Sequence, residues 1–166
     1  MSTENLSHKE AREKLKDLVE DIRVAMMVTA LGKIPLSAVP MTTKEIDDEG
    51  NIWFLSLRNS EHNMNIAENN QVQLLFSDPS DMEFVSVFGT GEIVTNKEIL
   101  EELYDDFSDN WFDGVNDPNL TAIKFHPKEA YYWNNKSNKY VTLYKLGIAA
   151  LTGKDKDIGE KGKLEL

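Results

Sequence analysis

Apolar residues first recur at helical spacing: Ala11, Leu15, Leu18, Val19 and Ile22 share one face of an otherwise charged segment. Ser7 and Glu10 stand where a capping box would open it, so the pattern predicts an amphipathic helix over residues 8–21. The period then changes. Residues 23–30 (RVAMMVTA) are β-prone and almost continuously apolar, which predicts a strand buried on both faces. Leu31-Gly32-Lys33 reads as a turn, and a second strand runs over residues 36–42 with Pro40 inside it. A proline cannot donate a ladder hydrogen bond, so Pro40 marks an edge, a bulge or a break beside a ligand.

Asp47-Asp48-Glu49-Gly50 has hairpin-turn chemistry and precedes a strand at 52–57, a short helix at 60–69 and a strand at 71–77. After Asp78-Pro79-Ser80-Asp81 comes a long strand, 83–94, that contains Gly89 and Gly91. Thr95 and Glu98 form a second capping box ahead of Ile99, Leu100, Leu103 and Phe107, which share a helix face. Residues 108–120 read as a loop carrying Trp111, Phe112 and Gly114. Strands at 121–125 and 130–133 flank His126-Pro127, residues 140–151 read as extended and then helical, and residues 153–166 as a polar tail that lies on the surface or frays. Six or seven short strands joined by tight turns predict a mainly β fold with flanking helices, its antiparallel sheet closed into a barrel. A single domain over residues 1–152 and the tail 153–166 account for the chain, and no internal repeat is visible.

The 166 residues suffice for one core. A formal net charge of −11 argues against nonspecific nucleic-acid binding or docking to anionic membranes, both of which need clustered Lys and Arg. The acid concentrates between Glu98 and Asp113, through Glu101, Glu102, Asp105, Asp106 and Asp109, and reads as a solvated helix face and loop. Without cysteine there are no disulfides, thiolate metal sites or cysteine nucleophiles. Residues 1–16 do not resemble a signal peptide and no apolar run approaches the ~20 residues of a membrane span, so a cytoplasmic protein is expected.

Gly89-Thr90-Gly91 begins like a dinucleotide fingerprint but lacks the third glycine and continues as strand, so a bulge or barrel corner explains it better. His8, His62 and His126 are too scattered to suggest a metal site or a haem ligand, and no hydrolase elbow occurs. Trp111, Phe112 and Trp133 are candidate walls for a flat aromatic ligand, or else packing residues. The densest chemistry lies at 51–66 (NIWFLSLRNSEHNMNI), where a strand runs through a polar turn into a helix. Helix N-termini present unpaired N–H groups and a positive dipole end, and Arg58, Ser60 and His62 would add donors there. One reading is a pocket for a phosphorylated cofactor. The plainer one is an ordinary N-cap, with Asn59 or Ser60 capping a surface helix.

With these pieces in order, the chain resembles the general stress protein branch of the pyridoxamine 5′-phosphate oxidase-like family, the flavin-binding split barrels. The resemblance runs from Leu15 to Leu166 through DIRVAMMVTA, Val39-Pro40-Met41, GNIWFLSLRNSEHNMNI, NNQVQLLFSDP, FVSVFGTGEIV, WFDGVNDPNL, Tyr132-Trp133 and GEKGKLEL. It implies a six-stranded antiparallel split barrel, a homodimer, and a flavin at the dimer interface, mostly FMN, with FAD or another flavin as alternatives. By motif, the ring would lie against Ala38, Val39, Pro40, Met41 and Thr42 and against Phe54, Leu55 and Ser56. The phosphate would sit near Arg58, Ser60 and His62, and Trp133 would come from the partner chain. Two departures stand out: Val39 replaces the arginine that often precedes Pro-Met, and His62 replaces a lysine, so flavin affinity is expected to be lower. The resemblance implies a flavin-dependent oxidoreductase of unknown substrate, or a non-catalytic flavin-binding stress-response module. No residue is singled out as catalytic, and the basic substrate-phosphate residues of the true oxidases have no clear counterpart.

Overall fold

The computed structural model describes residues 2–3, 6–135 and 159–166. The short strands β1 (Ser2–Thr3) and β2 (Leu6–Ser7) precede helix α1 (His8–Ile22). Strands β3 (Val24–Thr29) and β4 (Ser37–Thr42) form the first antiparallel pair, and the two-residue β5 (Glu45–Ile46) pairs with β6 (Ile52–Leu57). Helix α2 (Glu61–Glu68) leads to β7 (Gln71–Asp78) and β8 (Glu83–Val94), then to helix α3 (Lys97–Leu103) and a 3-10 helix at Asp106–Asn110. Strands β9 (Leu120–Asn135) and β10 (Gly159–Glu165) follow, and the range 140–151, expected to be extended and then helical, lies outside the described residues.

The sheet runs β4-β3-β7-β8-β9, every pair antiparallel. It divides along the far edge of β9. Residues 120–125 of that edge pair with β6, and residues 129–135 pair with β10. This division curls the sheet until β4 and β6 face each other without sharing a ladder. The six strands β3, β4, β6, β7, β8 and β9 are therefore the wall of a split barrel, as expected. Alternate positions turn inward, so Met27, Phe54, Leu74, Phe76, Phe125 and Tyr132 fill the interior with almost no exposure. Ala11, Leu15, Leu18 and Val19 of α1 join the same core, as their spacing predicts. A second cluster, Trp53, Leu100, Leu103, Phe112, Leu120 and Ala122, packs α3 and the following turn against the outside of β6 and β9.

Several local expectations are corrected. β3 is covered on both sides only in its second half: Met27, Val28 and Thr29 are all buried, whereas Val24 and Met26 are exposed. Asn96, not Thr95, caps α3 by accepting from the Ile99 amide. That helix ends at Leu103, so Phe107 does not share its buried face; it sits exposed on the 3-10 helix. His126-Pro127 does not divide two strands, since β9 continues through a register shift opposite Phe88/Gly89, where a missing N–H is tolerated. Residues 159–165 are no surface tail: β10 pairs with β9, β1 and β2, and buries Leu164 completely. Lys14 of α1 holds it there through an ion pair to Glu160 at 3.0 Å. Among the described residues no helix is long and apolar enough to cross a membrane.

Candidate functional site

The seam between β4 and β6 opens into a cleft of about 370 Å³. One wall is Val39, Pro40, Met41 and Thr42 of β4 with Val24 beside them; the other is Leu55, Ser56 and Leu57 of β6. His62 stands at the α2 end, Lys44 lies in the chain beyond β4, and Phe107, Ser108, Trp111 and Phe112 close the outer side. Pro40 can occupy β4 because this strand ends the sheet path, where no neighbour needs its missing N–H.

The α2 end is built as a helix terminus. Ser60 is the N-cap, its hydroxyl accepting from the Asn63 amide at 3.3 Å. Below it, Asn63 Nδ2 donates to Thr121 Oγ1 at 3.0 Å, and Thr121 donates its one hydroxyl proton to the Ser56 carbonyl at 2.9 Å. The 2.8 Å contact between the Ser56 and Thr121 hydroxyls must then carry the Ser56 proton. Ser56 is thus an anchored wall residue whose donor is already used. His62 differs: its Nε2 is buried with no hydrogen-bond partner. Burial pushes its pKa below the ordinary value against the opposing pull of Glu61, so the ring is neutral at neutral pH. A neutral imidazole with a spare ring nitrogen at a helix N-terminus suits an acceptor such as a phosphate, which would draw a proton onto it.

The outer side is fixed by a chain of polar contacts. Lys44 Nζ, on a side chain only 9% exposed, donates to Asp105 Oδ1 at 2.6 Å. Asp105 also accepts from the Ser108 amide and hydroxyl, while Ser108 accepts from the Asp105 amide, so a capping box opens the 3-10 helix. The Lys44 hydrogen bond, then that of Ser108, hold the Asp105 carboxyl below its usual range. With Ser108 and Phe112 buried beneath it, this short helix presents Phe107 and Trp111 over the cleft, edge to face with centroids 4.9 Å apart.

Of the residues the sequence singles out, Val39, Pro40, Met41, Thr42, Leu55, Ser56 and His62 come together in the cleft, joined by Trp111 and Phe112. Ala38 lies one strand position beyond its wall. Phe54 is fully buried in the barrel core and is not part of the cleft's lining. Arg58 bends toward the turn before β9, with Nε donating to the Pro118 carbonyl at 2.9 Å, and Ser60 serves the helix cap. Trp133, 38% exposed, sits on β9 opposite Phe84 and Lys161, away from its own chain's cleft. Sequence reasoning missed Lys44, Val24, Leu57, Phe107 and Ser108. The Asp105–Ser108 spacing was a readable cap signal that would have ended α3 earlier and moved Phe107 to the site.

A family model described as pyridoxamine 5′-phosphate oxidase like matches residues 10–157. No curated protein matches the chain. Among solved structures, one described as a general stress protein 26 from Jannaschia sp. CCS1 superposes with a TM-score of 0.80 at 27% identity, covering 96% of this chain and 100% of that one. A general stress FMN/FAD binding protein from Xanthomonas citri gives 0.67 at 25% identity, covering 79% and 93%. General stress protein 26 from Bacillus anthracis str. Sterne gives 0.64 at 21% identity, covering 73% and 92%.

Proposed function

Because the chain belongs to the pyridoxamine 5′-phosphate oxidase-like family, we propose that the seam cleft binds a flavin, FMN before FAD, in a homodimer. The observation that carries the reading is the apolar cleft walled by β4 and β6, whose lining includes His62 with a buried Nε2 that has no hydrogen-bond partner. The ring would lie between Val39–Thr42 and Leu55–Ser56. The phosphate would lie at the α2 terminus, held by His62, the Ser60 region and Arg58 swung in from Pro118. When bound, the flavin supplies hydride or electron chemistry, and the protein's part is to orient it and exclude water. The X. citri relative described as FMN/FAD binding supports this choice of ligand.

The dimer reading rests on the apolar side chains that one sheet face exposes among the described residues. Met26 pairs with Leu75, Leu75 with Ser86 and Ser86 with Tyr131, so a row with three apolar members and one serine crosses β3, β7, β8 and β9. Trp133 flanks that row, and Val24 joins it to the cleft. Contiguous apolar surface of this kind marks an interface. A two-fold partner seated here would bring its own Trp133 toward this chain's cleft.

Equilibrium dialysis against FMN tests the site, with the visible flavin band as readout. Arg58→Ala should weaken binding about tenfold through loss of a charge-assisted contact. Wild-type affinity in that variant puts the phosphate elsewhere. A second reading, flavin binding without turnover, is favoured by the cleft's chemistry: its titratable lining residues among those described are Lys44, already paired, and the neutral His62. FMN-loaded protein that oxidises no nicotinamide cofactor and reduces no quinone would support it.

A further inference from the structure

Phe107 and Trp111 are 55% and 58% exposed at the mouth of the cleft, although the short helix carrying them is pinned at Asp105, Ser108 and Phe112. A mobile loop could fold such rings away; a capped turn tied to Lys44 holds them out. Their edge-to-face arrangement, with an interplanar angle of 68°, leaves a ring face open for another flat group. An open aromatic face carries the negative side of its quadrupole, which attracts cations and electron-poor rings and repels anions.

The surrounding charge has the same sign. Asp106 and Asp109 flank Phe107 and Trp111 in sequence, Asp113 follows, and all three are exposed. The cleft's own cations do not offset them, since Lys44 is paired with Asp105 at 2.6 Å and burial keeps His62 neutral. The Tyr104 hydroxyl, which donates to Asp109 at 2.6 Å, reports the same surroundings: burial and the Asp109 carboxylate push its pKa up to about 12.

Resting on the reading of the inner cleft as a flavin site, we propose that Phe107 and Trp111 form a stacking platform for a second ligand, a flat, uncharged or cationic aromatic molecule. The acidic turn that mounts them excludes anionic rings of the same size. Asp106, Asp109 and Asp113 then have a role beyond solvation: they sort ligands by charge.

Three two-ring probes separate shape from charge: quinoline, N-methylquinolinium and naphthalene-2-sulfonate, titrated calorimetrically into FMN-free and FMN-loaded protein. At low salt the sulfonate should bind at least about fivefold more weakly than the other two, and screening should shrink the gap below about twofold near 0.5 M salt. Asp106→Asn with Asp109→Asn should narrow the same gap about threefold or more. Trp111→Ala should weaken N-methylquinolinium binding about tenfold, and Trp111→Phe should restore most of it. Equal binding of the sulfonate at low salt would overturn the proposal, as would unchanged quinolinium binding in a folded Trp111→Ala protein. So would a Trp111→Ala protein that sediments as a monomer where the wild type is a dimer, because a second copy would then cover the ring. Failure of FMN to bind in its own titration would refute the flavin reading alone, and the probe series on FMN-free protein would still decide the platform.

Discussion

Gly89→Ala provides a severe test of the barrel corner, with Gly91→Ala as its internal control. Both glycines lie in β8, and neither has the positive φ that disfavours a side chain. A methyl group at Gly89 would overlap the His126 carbonyl oxygen and come within 2.6 Å of Phe125 Cζ. Neither obstacle can yield. The carbonyl belongs to the bulged crossing of β9, and Phe125 is fully buried. At Gly91 the methyl would meet Ile66 Cδ1 and Val72 Cγ2 at 3.3 Å, the tips of side chains that can shift by a few tenths of an ångström. Alanine limits the unfolded chain in both variants and so contributes about 0.4–1 kcal/mol of stability at either site. Overpacking ordinarily costs about 1–3 kcal/mol, and an overlap with backbone belongs at the top of that range. The net expectation is a loss of about 2–3 kcal/mol for Gly89→Ala. For Gly91→Ala it is a change within about 1 kcal/mol of zero. In a chain of this size the first corresponds to a melting temperature lower by about 5–10 °C. Urea unfolding and calorimetry of the two variants would measure both. A Gly89→Ala protein melting within about 2 °C of wild type, or a Gly91→Ala protein that is the more damaged, would refute the close crossing of β8 and β9.

Two further predictions concern titrating groups. The depressed His62 pKa means that the unfolded chain takes up a proton there before the folded one does, so stability falls as pH drops below about 6.5. His62→Gln should flatten that part of a urea-midpoint profile, while FMN affinity, referred to the same variant, should rise as pH falls because the phosphate favours the charged ring. Burial alone would raise the Asp47 pKa, but hydrogen bonds from the Asn51 side chain and amide, the Trp53 indole and the Glu49 amide outweigh it and hold it low. Asp47→Ala should cost about 2 kcal/mol near neutrality by leaving those donors unpaired. The wild-type advantage should narrow as pH falls below about 4, because the folded carboxylate gives up its charge at lower pH than the unfolded one, and a difference that does not narrow in acid would show that the charge adds nothing to these bonds.

The barrel strands were legible because alternation and turn chemistry are local properties. Pro40, Gly50 and Ser60 each announced a geometry that a few neighbouring residues impose. Phe107 was misread because its spacing continues the apolar face of α3, while the Asp105 cap restarts the chain two residues earlier. Asn96 displaced Thr95 as the cap of α3, in keeping with asparagine's stronger preference for that position. β10 was missed because Gly159–Glu165 is almost wholly polar, and only pairing with β9 and burial of Leu164 identify it as strand. Phe54 shares its strand face with Ser56 of the cleft wall, so neither motif nor parity reveals that its ring is spent in the core. Lys44 had no local signature, because its partner Asp105 lies 61 residues away.

The division of β9 between two partners also bears on how the chain comes off the ribosome. Residues 129–135 of β9 are made well before residues 159–165, yet that half of the strand has its outer edge closed by them. The opening residues of the chain wait as well, since β1 and β2 pair only with β10. Vectorial synthesis therefore leaves the β9 edge at residues 129–135, bearing Tyr131 and Trp133, without its β10 partner until residues 159–165 are made. Translation pauses within that interval would prolong the exposure, and nascent chains stalled before residue 159 should be the forms that holdase chaperones capture most readily.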